Sequence, residues 1–164
     1  MAVAAQVSLV EVTGDREPFV PLLEEADEPG PLRRYLQEGR LFDVRETSPE
    51  GERSVGVVLL LRDGASVEVK NLAVAGPDRG RGIGGAILRA VAQQAAAEGA
   101  DEVIVGTADA AVGTIGFYLR NHFRIIGIRA NFFDDYPDPV IENGIRARDM
   151  VLLRLDAPAA ESTA

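Results

Sequence analysis

The chain has 164 residues, of which 46% are hydrophobic and 26% charged, as in a globular protein with one buried core. It contains no cysteine and a single histidine, His122, which excludes disulfides, thiolate metal sites, cysteine nucleophiles and multi-histidine metal sites. A net charge of −9 argues against a nucleic-acid partner and favours a cationic one, although acidity also serves solubility alone. No apolar stretch is long enough to span a membrane, and the N-terminus lacks a signal peptide's basic region, so we expect a cytoplasmic protein without a membrane partner.

The hydrophobic pattern predicts elements in the order β, α, α, β, β, β, α, β, α, β, β. Alternating or continuous apolar runs mark the strands, at residues 7–12, 41–46, 54–62, 67–74, 102–107, 123–133 and 149–155. Helical spacing marks two short helices hinged at Pro29–Pro31, a long helix from Ile83 that stops at Gly99, and a short helix at 115–121. Hairpin-linked strands flank one β-α-β-α unit, so the order favours a mixed α/β, or α+β, fold over a doubly wound parallel sheet.

The length is that of one ordinary domain, which we place at residues 1–156. No internal repeat divides this range. The final residues, 157–164, are small or polar, and we expect them to form a disordered tail.

The loop PDRGRGIGG, residues 77–85, joins the strand at 67–74 to the long helix. Its glycines match the G-x-G-x-x-G pattern of dinucleotide-binding folds. However, AGPDR separates the glycines from the strand, and the acidic pair Asp101–Glu102 precedes the next strand instead of ending it. A nucleoside-triphosphate P-loop is excluded, because no Gly-Lys-Ser/Thr follows.

Two interpretations of this loop remain. In the first, backbone N–H groups at the glycines, the positive end of the helix dipole, and Arg79 and Arg81 together cradle a phosphate. In the second, the segment is a glycine-rich turn with solvated arginines.

Two segments resemble signatures of the GNAT superfamily of N-acetyltransferases. NLAVAGPDRGRGIGGAIL is similar to its acetyl-CoA signature, a strand followed by (Arg/Gln)-x-x-Gly-x-(Gly/Ala), with Arg79, Gly82 and Gly84 at the named positions. GTIGFYLRNHFRIIGI is similar to a second signature, a short helix ending in Tyr-x-x-x-Gly-Phe. The resemblance covers roughly residues 5–156, and ENGIRARDMVLL resembles a bacterial subgroup. It implies the GNAT acyl-CoA N-acyltransferase fold, a central, mixed but mostly antiparallel sheet flanked by helices.

The sequence departs from the family pattern at two positions. His122 stands where the family usually has glycine, so we expect a left-handed residue with a side chain, or a turn of another geometry. Asp109 stands near an asparagine that contacts the pantetheine arm in many members, and a carboxylate accepts hydrogen bonds but cannot donate them.

The resemblance implies acetyl-CoA as cosubstrate and no metal. Its pyrophosphate would meet Arg79 or Arg81 and the N–H groups of the loop and first helical turn, Gly80, Arg81, Gly82, Ile83, Gly84 and Gly85. Its pantetheine arm would add to the strand at 67–74 like an extra strand, at Leu72, Ala73 and Val74, and Asp109 would lie near it. This binding requires the sheet to open between residues 67–74 and 102–107.

The implied activity is transfer of the acetyl group to a primary amine of a small molecule or protein, by direct attack in a ternary complex. We predict Glu68 as the base, directly or through a water; alternatively it is an outward-facing strand residue. We predict Tyr118 as a cofactor contact and as the acid that protonates the CoA sulfur; alternatively it is a core tyrosine on the helical face of Ile115 and Leu119. The Leu72 N–H is the expected oxyanion donor.

The loop before the last strand is acidic, with Asp134, Asp135, Asp138 and Glu142. Its charge suits a cationic amine, or else is simply solvated. A different class of function also fits a GNAT-like domain, namely a non-catalytic acyl-CoA sensor or a structural module. The apolar C-terminal strands make a homodimer a further expectation.

Overall fold

The structure, a computed structural model, describes residues 4–159. Its central strands are β1 (Val7–Glu11), β2 (Arg40–Ser48), β3 (Gly51–Asp63), β4 (Ser66–Val74), β5 (Glu102–Ala108), β6 (Arg124–Arg129) and β9 (Met150–Asp156). A small hairpin consists of β7 (Ile141–Glu142) and β8 (Ile145–Arg146). The helices are α1 (Val20–Leu23), α2 (Pro29–Tyr35), α3 (Ile83–Ala97) and α4 (Val112–Arg120).

One seven-stranded sheet, in the order β1-β2-β3-β4-β5-β9-β6, organises the described residues. Its neighbouring strands are antiparallel except for β4 and β5, which are parallel and joined through α3. The predicted mixed, mostly antiparallel sheet flanked by helices is therefore confirmed. The assignment of residues 1–156 to a single domain stays a prediction. Residues 157–159 have no regular secondary structure, and the rest of the predicted tail, 160–164, lies outside the described residues, as do residues 1–3.

The sheet carries a hydrophobic core on each face. On one face, α3 packs Ile87 and Val91 against strand residues such as Val103, all of them fully buried. On the other face, the short helices α1 and α2 bury Leu23 and Leu32. The long helix follows from its sequence, since its apolar residues recur at helical spacing and Gly99, with a φ of +78°, ends it.

Strand β4 contains a bulge that separates it into two halves. Val69 lies opposite Leu60 and Asn71 lies opposite Leu59, so Lys70 is an extra residue in the ladder. Before the bulge, Val69 packs into the α3 core. After it, Leu72 packs against that same core, while Asn71 hydrogen-bonds residues of the α1–α2 face. Strict alternation would have placed Asn71 on the α3 side.

The predicted strand at 123–133 is wrong at its C-terminal end, because β6 stops at Arg129. Asn131 adopts a φ of +60°, and its N–H donates to Asp149 Oδ1 over 2.8 Å. A short 3₁₀ helix, Phe132–Asp135, follows. The predicted loop at 134–147 also contains the hairpin β7–β8, whose Asn143 and Gly144 both have positive φ, as a two-residue hairpin turn requires.

Helix α4 ends in a left-handed residue with a side chain, as the departure at His122 led us to expect. His122 has a φ of +70°, and its N–H donates to the Leu119 carbonyl while Phe123 N–H donates to the Tyr118 carbonyl. This pair of bonds is the Schellman arrangement, which favours glycine at the left-handed position.

His122→Gly should therefore raise the free energy of unfolding by about 1 kcal/mol, since it removes the cost of left-handed backbone at a residue with Cβ. Urea denaturation measures the change. Arg120→Gly, two residues earlier inside α4, is the matched control and should lower stability by about 1 kcal/mol. If both substitutions lowered stability, the left-handed backbone at His122 would not be a cost to the free energy of unfolding.

Candidate active site

The sheet opens between its two parallel strands. The pairing of β4 with β5 ends at Val69 and Val105, and beyond this pair the described residues of the two strands form no ladder with each other. The opening is a cleft of about 460 Å³, here called the strand cleft, with residues of α4 lining it. The β4 bulge falls directly after the last ladder pair, so the sheet opens at the bulge.

The strand cleft brings together five of the residues predicted to contact the cofactor. These are Leu72, Ala73, Val74, Arg79 and Tyr118. Asp109 is not among the described residues that line the cleft. Its carboxylate instead accepts the Arg148 N–H at 3.1 Å, which fixes the segment before β9.

The glycine loop runs from a 3₁₀ turn, Gly76–Asp78, into α3. Gly80 and Gly82 have φ values of +75° and +80°, and a Cβ at either position would meet no atom within 4 Å. Side chains are thus disfavoured there by backbone conformation and not by crowding. The open space beside these two residues leaves their backbone accessible at the positive end of α3.

The next two glycines serve helix packing. A Cβ on Gly84 would lie 3.0 Å from the Phe117 ring, and one on Gly85 would lie 2.8 Å from Asn121 Oδ1. Both neighbours belong to α4 or its C-cap. These glycines therefore let the first turn of α3 approach α4 closely. Ile83 is buried, which leaves only its backbone for a ligand.

The two loop arginines have different surroundings. Arg79 lines the strand cleft, where its Nε donates to the Val74 carbonyl at 3.1 Å and its guanidinium pairs with Glu25. Arg81 pairs with Glu46 at 2.8 Å and with Asp78 at 2.7 Å, and it does not line the cleft. Of the two, Arg79 is the one positioned at the cleft.

Asp78 anchors the loop to the sheet. This buried carboxylate accepts two hydrogen bonds from Arg53 on β3, at 2.6 and 3.0 Å, and one from Arg81. The Arg53 guanidinium is the main reason that the pKa of Asp78 lies below its ordinary value, and Arg81 adds to the effect. The network holds the loop in place without using Arg79.

Tyr118 is the buried phenol of the strand cleft. Its ring packs edge-on against Phe117 and Phe123, with centroids 5.1 and 5.2 Å away, and only 6% of the residue is exposed. Burial raises the pKa of Tyr118 to about 12, so the phenol keeps its proton at neutral pH. A protonated phenol in a cleft is suited to donating a proton.

A second cleft of about 960 Å³, here called the acidic cleft, adjoins the first. The residues that line both clefts are Glu25, Ala26, Val69, Lys70, Gly106, Thr107 and Glu142. Glu68 lines the acidic cleft, and its carboxylate pairs with Lys70 Nζ at 3.4 Å. The structure thus places the predicted base and the predicted acid in neighbouring clefts that meet where the strands separate.

Asn71 stands beside this junction and was missed by the sequence interpretation. Its Nδ2 donates to the Leu23 carbonyl at 3.0 Å and to the Tyr35 hydroxyl at 3.1 Å, and Tyr35 donates to Asp27 at 2.7 Å. The available signal was a polar residue at position 71, where the alternation of β4 from Val67 and Val69 to Ala73 calls for an apolar one. Glu25 lies in the α1–α2 connection and pairs with Arg79, and no feature of the sequence indicated this role.

The sequence matches the acetyltransferase (GNAT) domain family over residues 41–125. The uncharacterised N-acetyltransferase YvbK of Bacillus subtilis strain 168 is 33% identical over 124 residues, which cover 74% of this chain and 77% of that protein. This chain belongs to the GNAT family of acetyltransferases. The recognition made from the two signatures is confirmed, and with it the assignment as an acetyltransferase.

Two solved GNAT structures resemble this one along nearly the whole chain. A GNAT family acetyltransferase from Elizabethkingia anophelis with acetyl-CoA bound has a TM-score of 0.80 and 32% identity, covering 92% of this chain and 98% of its own. A Bacillus subtilis acetyltransferase in complex with CoA has a TM-score of 0.77 and 30% identity, covering 93% and 98%. The GNAT fold expected from the sequence is therefore confirmed.

Within residues 4–159, no helix is both long and apolar enough to cross a membrane. In the same part of the chain, no group of three or more histidine or acidic side chains is arranged to hold a metal ion.

Proposed function

We propose that this GNAT protein transfers the acetyl group of acetyl-CoA to a primary amine of a small molecule or protein. The observation that carries the proposal is the opening of the sheet beside the glycine loop, with a protonated phenol in the opening. The residues present fit acetyl-CoA, because three features meet there: a strand edge that no other strand of the described residues covers, with only the Val74 carbonyl taken by Arg79, open space beside Gly80 and Gly82, and a cleft-lining arginine.

In this proposal the chain holds the donor at three places. The backbone of β4 at Leu72, Ala73 and Val74 receives the pantetheine arm as an added strand. The backbone of Gly80 to Gly85 and the side chain of Arg79 receive the pyrophosphate. The ion pair of Arg79 with Glu25 must then open or rearrange, whereas Arg81 keeps its structural pairs.

The chemistry of the transfer is assigned to three residues: Glu68, Leu72 and Tyr118. Glu68 takes the proton of the attacking amine, directly or through a water, from the side of the acidic cleft. The Leu72 N–H stabilises the charge that develops on the acetyl oxygen as the carbon–nitrogen bond forms. Tyr118 gives its proton to the thiolate that leaves as the carbon–sulfur bond breaks. The amine attacks directly, so no acetylated enzyme is formed.

Acetyl-CoA titration followed by amine turnover tests the proposal. Calorimetry should give a saturable acetyl-CoA site, and thiol release should be detected with at least some primary amines but not with matched tertiary amines. Tight acetyl-CoA binding without release for any amine would instead favour the non-catalytic acyl-CoA sensor. No binding at all would contradict both.

A further inference from the structure

The residues that line the acidic cleft indicate which kind of ligand it binds. We propose, on the basis of the proposed acetyl transfer, that the acceptor is a small diamine with an apolar, preferably aromatic, body: a primary amine at one end and a second cationic group at the other. Three observations lead to this class: the charge of one wall, the rings of the other, and an unpartnered carbonyl oxygen beside the junction of the clefts.

The first wall is negatively charged. Seven acidic side chains line the acidic cleft against two basic ones, Arg34 and Lys70; the acidic ones are Glu24, Glu25, Asp27, Glu28, Glu38, Glu68 and Glu142. Among the described residues, five of these seven have no ion-pair partner: Glu24, Asp27, Glu28, Glu38 and Glu142. A cleft with this imbalance attracts cations and repels anions.

The second wall is aromatic. Phe132, Phe133 and Tyr136 form a cluster with ring centroids 5.0 to 6.1 Å apart, and all three line the cleft. The rings and the carboxylates line the same cleft. Burial raises the pKa of the Tyr136 phenol, the charges of Asp27 and Glu28 add to this, and Arg34 opposes it. Half-buried rings facing carboxylates bind an apolar body that carries a positive charge.

The third observation is the side-chain oxygen of Asn71. Asn71 is 4% exposed, it lines the strand cleft, and its Oδ1 is buried without a hydrogen-bond partner. The amide orientation is fixed, because the opposite one would turn Oδ1 toward the Leu23 carbonyl. A buried carbonyl requires a donor, and an amine N–H of an acceptor bound in the strand cleft, which Asn71 lines, would supply one once the neighbouring side chains shift to admit it.

The acceptor needs a second positive charge because the reacting amine must lose its own. The amine must be neutral to attack, so it contributes little to a lasting attraction by the acidic wall. A second cationic group, away from the amine that reacts, keeps its charge through the reaction and pairs with the carboxylates of the α1–α2 segment.

Three para-substituted benzylamines test the inference by kcat/KM, with the full-length protein and saturating acetyl-CoA. They differ only at the far end, which is aminomethyl, methyl or carboxylate, and the kcat/KM of the diamine is expressed per amine because its two amines are equivalent. We expect the diamine to exceed the methyl compound by about tenfold and the carboxylate to be slowest, since each partly screened pair contributes modestly. Added salt should narrow the difference.

The variant pair Glu24→Gln with Glu28→Gln should reduce the ratio of diamine to methyl compound toward one. Glu50→Gln, an exposed charge in the β2–β3 hairpin away from both clefts, should leave the ratio at the wild-type value. Turnover of all three compounds at equal rates, or a preference for the carboxylate, would overturn the inference and leave the proposed function intact. Absence of thiol release with every amine would overturn the proposed function itself.

Discussion

Tyr118→Phe should lower the kcat of acetyl transfer by about 100-fold, the usual contribution of one general acid. The substitution removes a single hydroxyl from a buried ring whose packing against Phe117 and Phe123 involves the ring alone. With its pKa raised to about 12, the wild-type phenol is protonated from pH 6 to 9, so the loss should be nearly constant over that range.

The melting temperature and the acetyl-CoA affinity show whether this loss is chemical. The melting temperature should stay close to wild type in Tyr118→Phe, because among residues 4–159 no group hydrogen-bonds the phenol, and any loss of acetyl-CoA affinity should be much smaller than the loss of kcat. Glu68→Gln is the companion variant: its loss of rate should shrink as pH rises, since an amine that is already neutral needs the base least. Unchanged turnover in Tyr118→Phe would remove Tyr118 as the acid, and an unchanged pH profile in Glu68→Gln would remove Glu68 as the base.

Gly82→Glu should weaken acetyl-CoA binding by about 100-fold, or roughly 3 kcal/mol, as measured by calorimetry. Gly82 is the N-cap of α3, and the space beside its Cα position is open. A carboxylate placed there would face the position proposed for the pyrophosphate and would oppose the helix dipole's attraction for it.

Gly64→Glu separates charge repulsion from backbone strain. Gly64, in the β3–β4 turn, also has a positive φ, +56°, and open space beside it, but it lines neither cleft. Both variants should lose about 1 to 2 kcal/mol of stability for placing a Cβ in the left-handed region. Only Gly82→Glu should lose affinity, and equal affinity in the two variants would contradict the proposed phosphate cradle.

The sequence was sufficient for the order of the helices and of the strands of the main sheet, though not for the hairpin β7–β8, because nearly every one of them has a clear period and a glycine or proline boundary. The end of β6 was misjudged for a local reason: FRIIGIRANFF remains apolar through Phe133, while a left-handed Asn131 held by the Asp149 carboxylate turns the chain away. Hydrophobicity alone does not indicate such a turn. Asn-Gly at 143–144, by contrast, was a usable hairpin signal.

For the site, the motif located the loop but not the partners of its side chains. Only Arg79 stands at a named position of the signature, but either arginine could meet a phosphate, and only the structure shows that Arg81 is held by Glu46 and Asp78 while Arg79 lines the strand cleft. The sequence likewise does not show that the Asp109 carboxylate accepts a hydrogen bond from the Arg148 N–H, which belongs to a distant segment. Contacts between residues far apart in the chain do not show in the hydrophobic pattern of the sequence.

The bulge at Lys70 in β4 bears on which deletions and insertions this chain tolerates. Deleting Lys70 would remove the bulge but leave every later side chain of the strand on its present face, because Val69 and Asn71 already pair with the consecutive residues Leu60 and Leu59. Leu72 would still face the core beneath α3 and Asn71 the α1–α2 helices, so the deletion would remove only the irregularity at which the sheet opens. A residue deleted or inserted between Asn71 and Val74, by contrast, would exchange the faces of all the side chains that follow it in the strand.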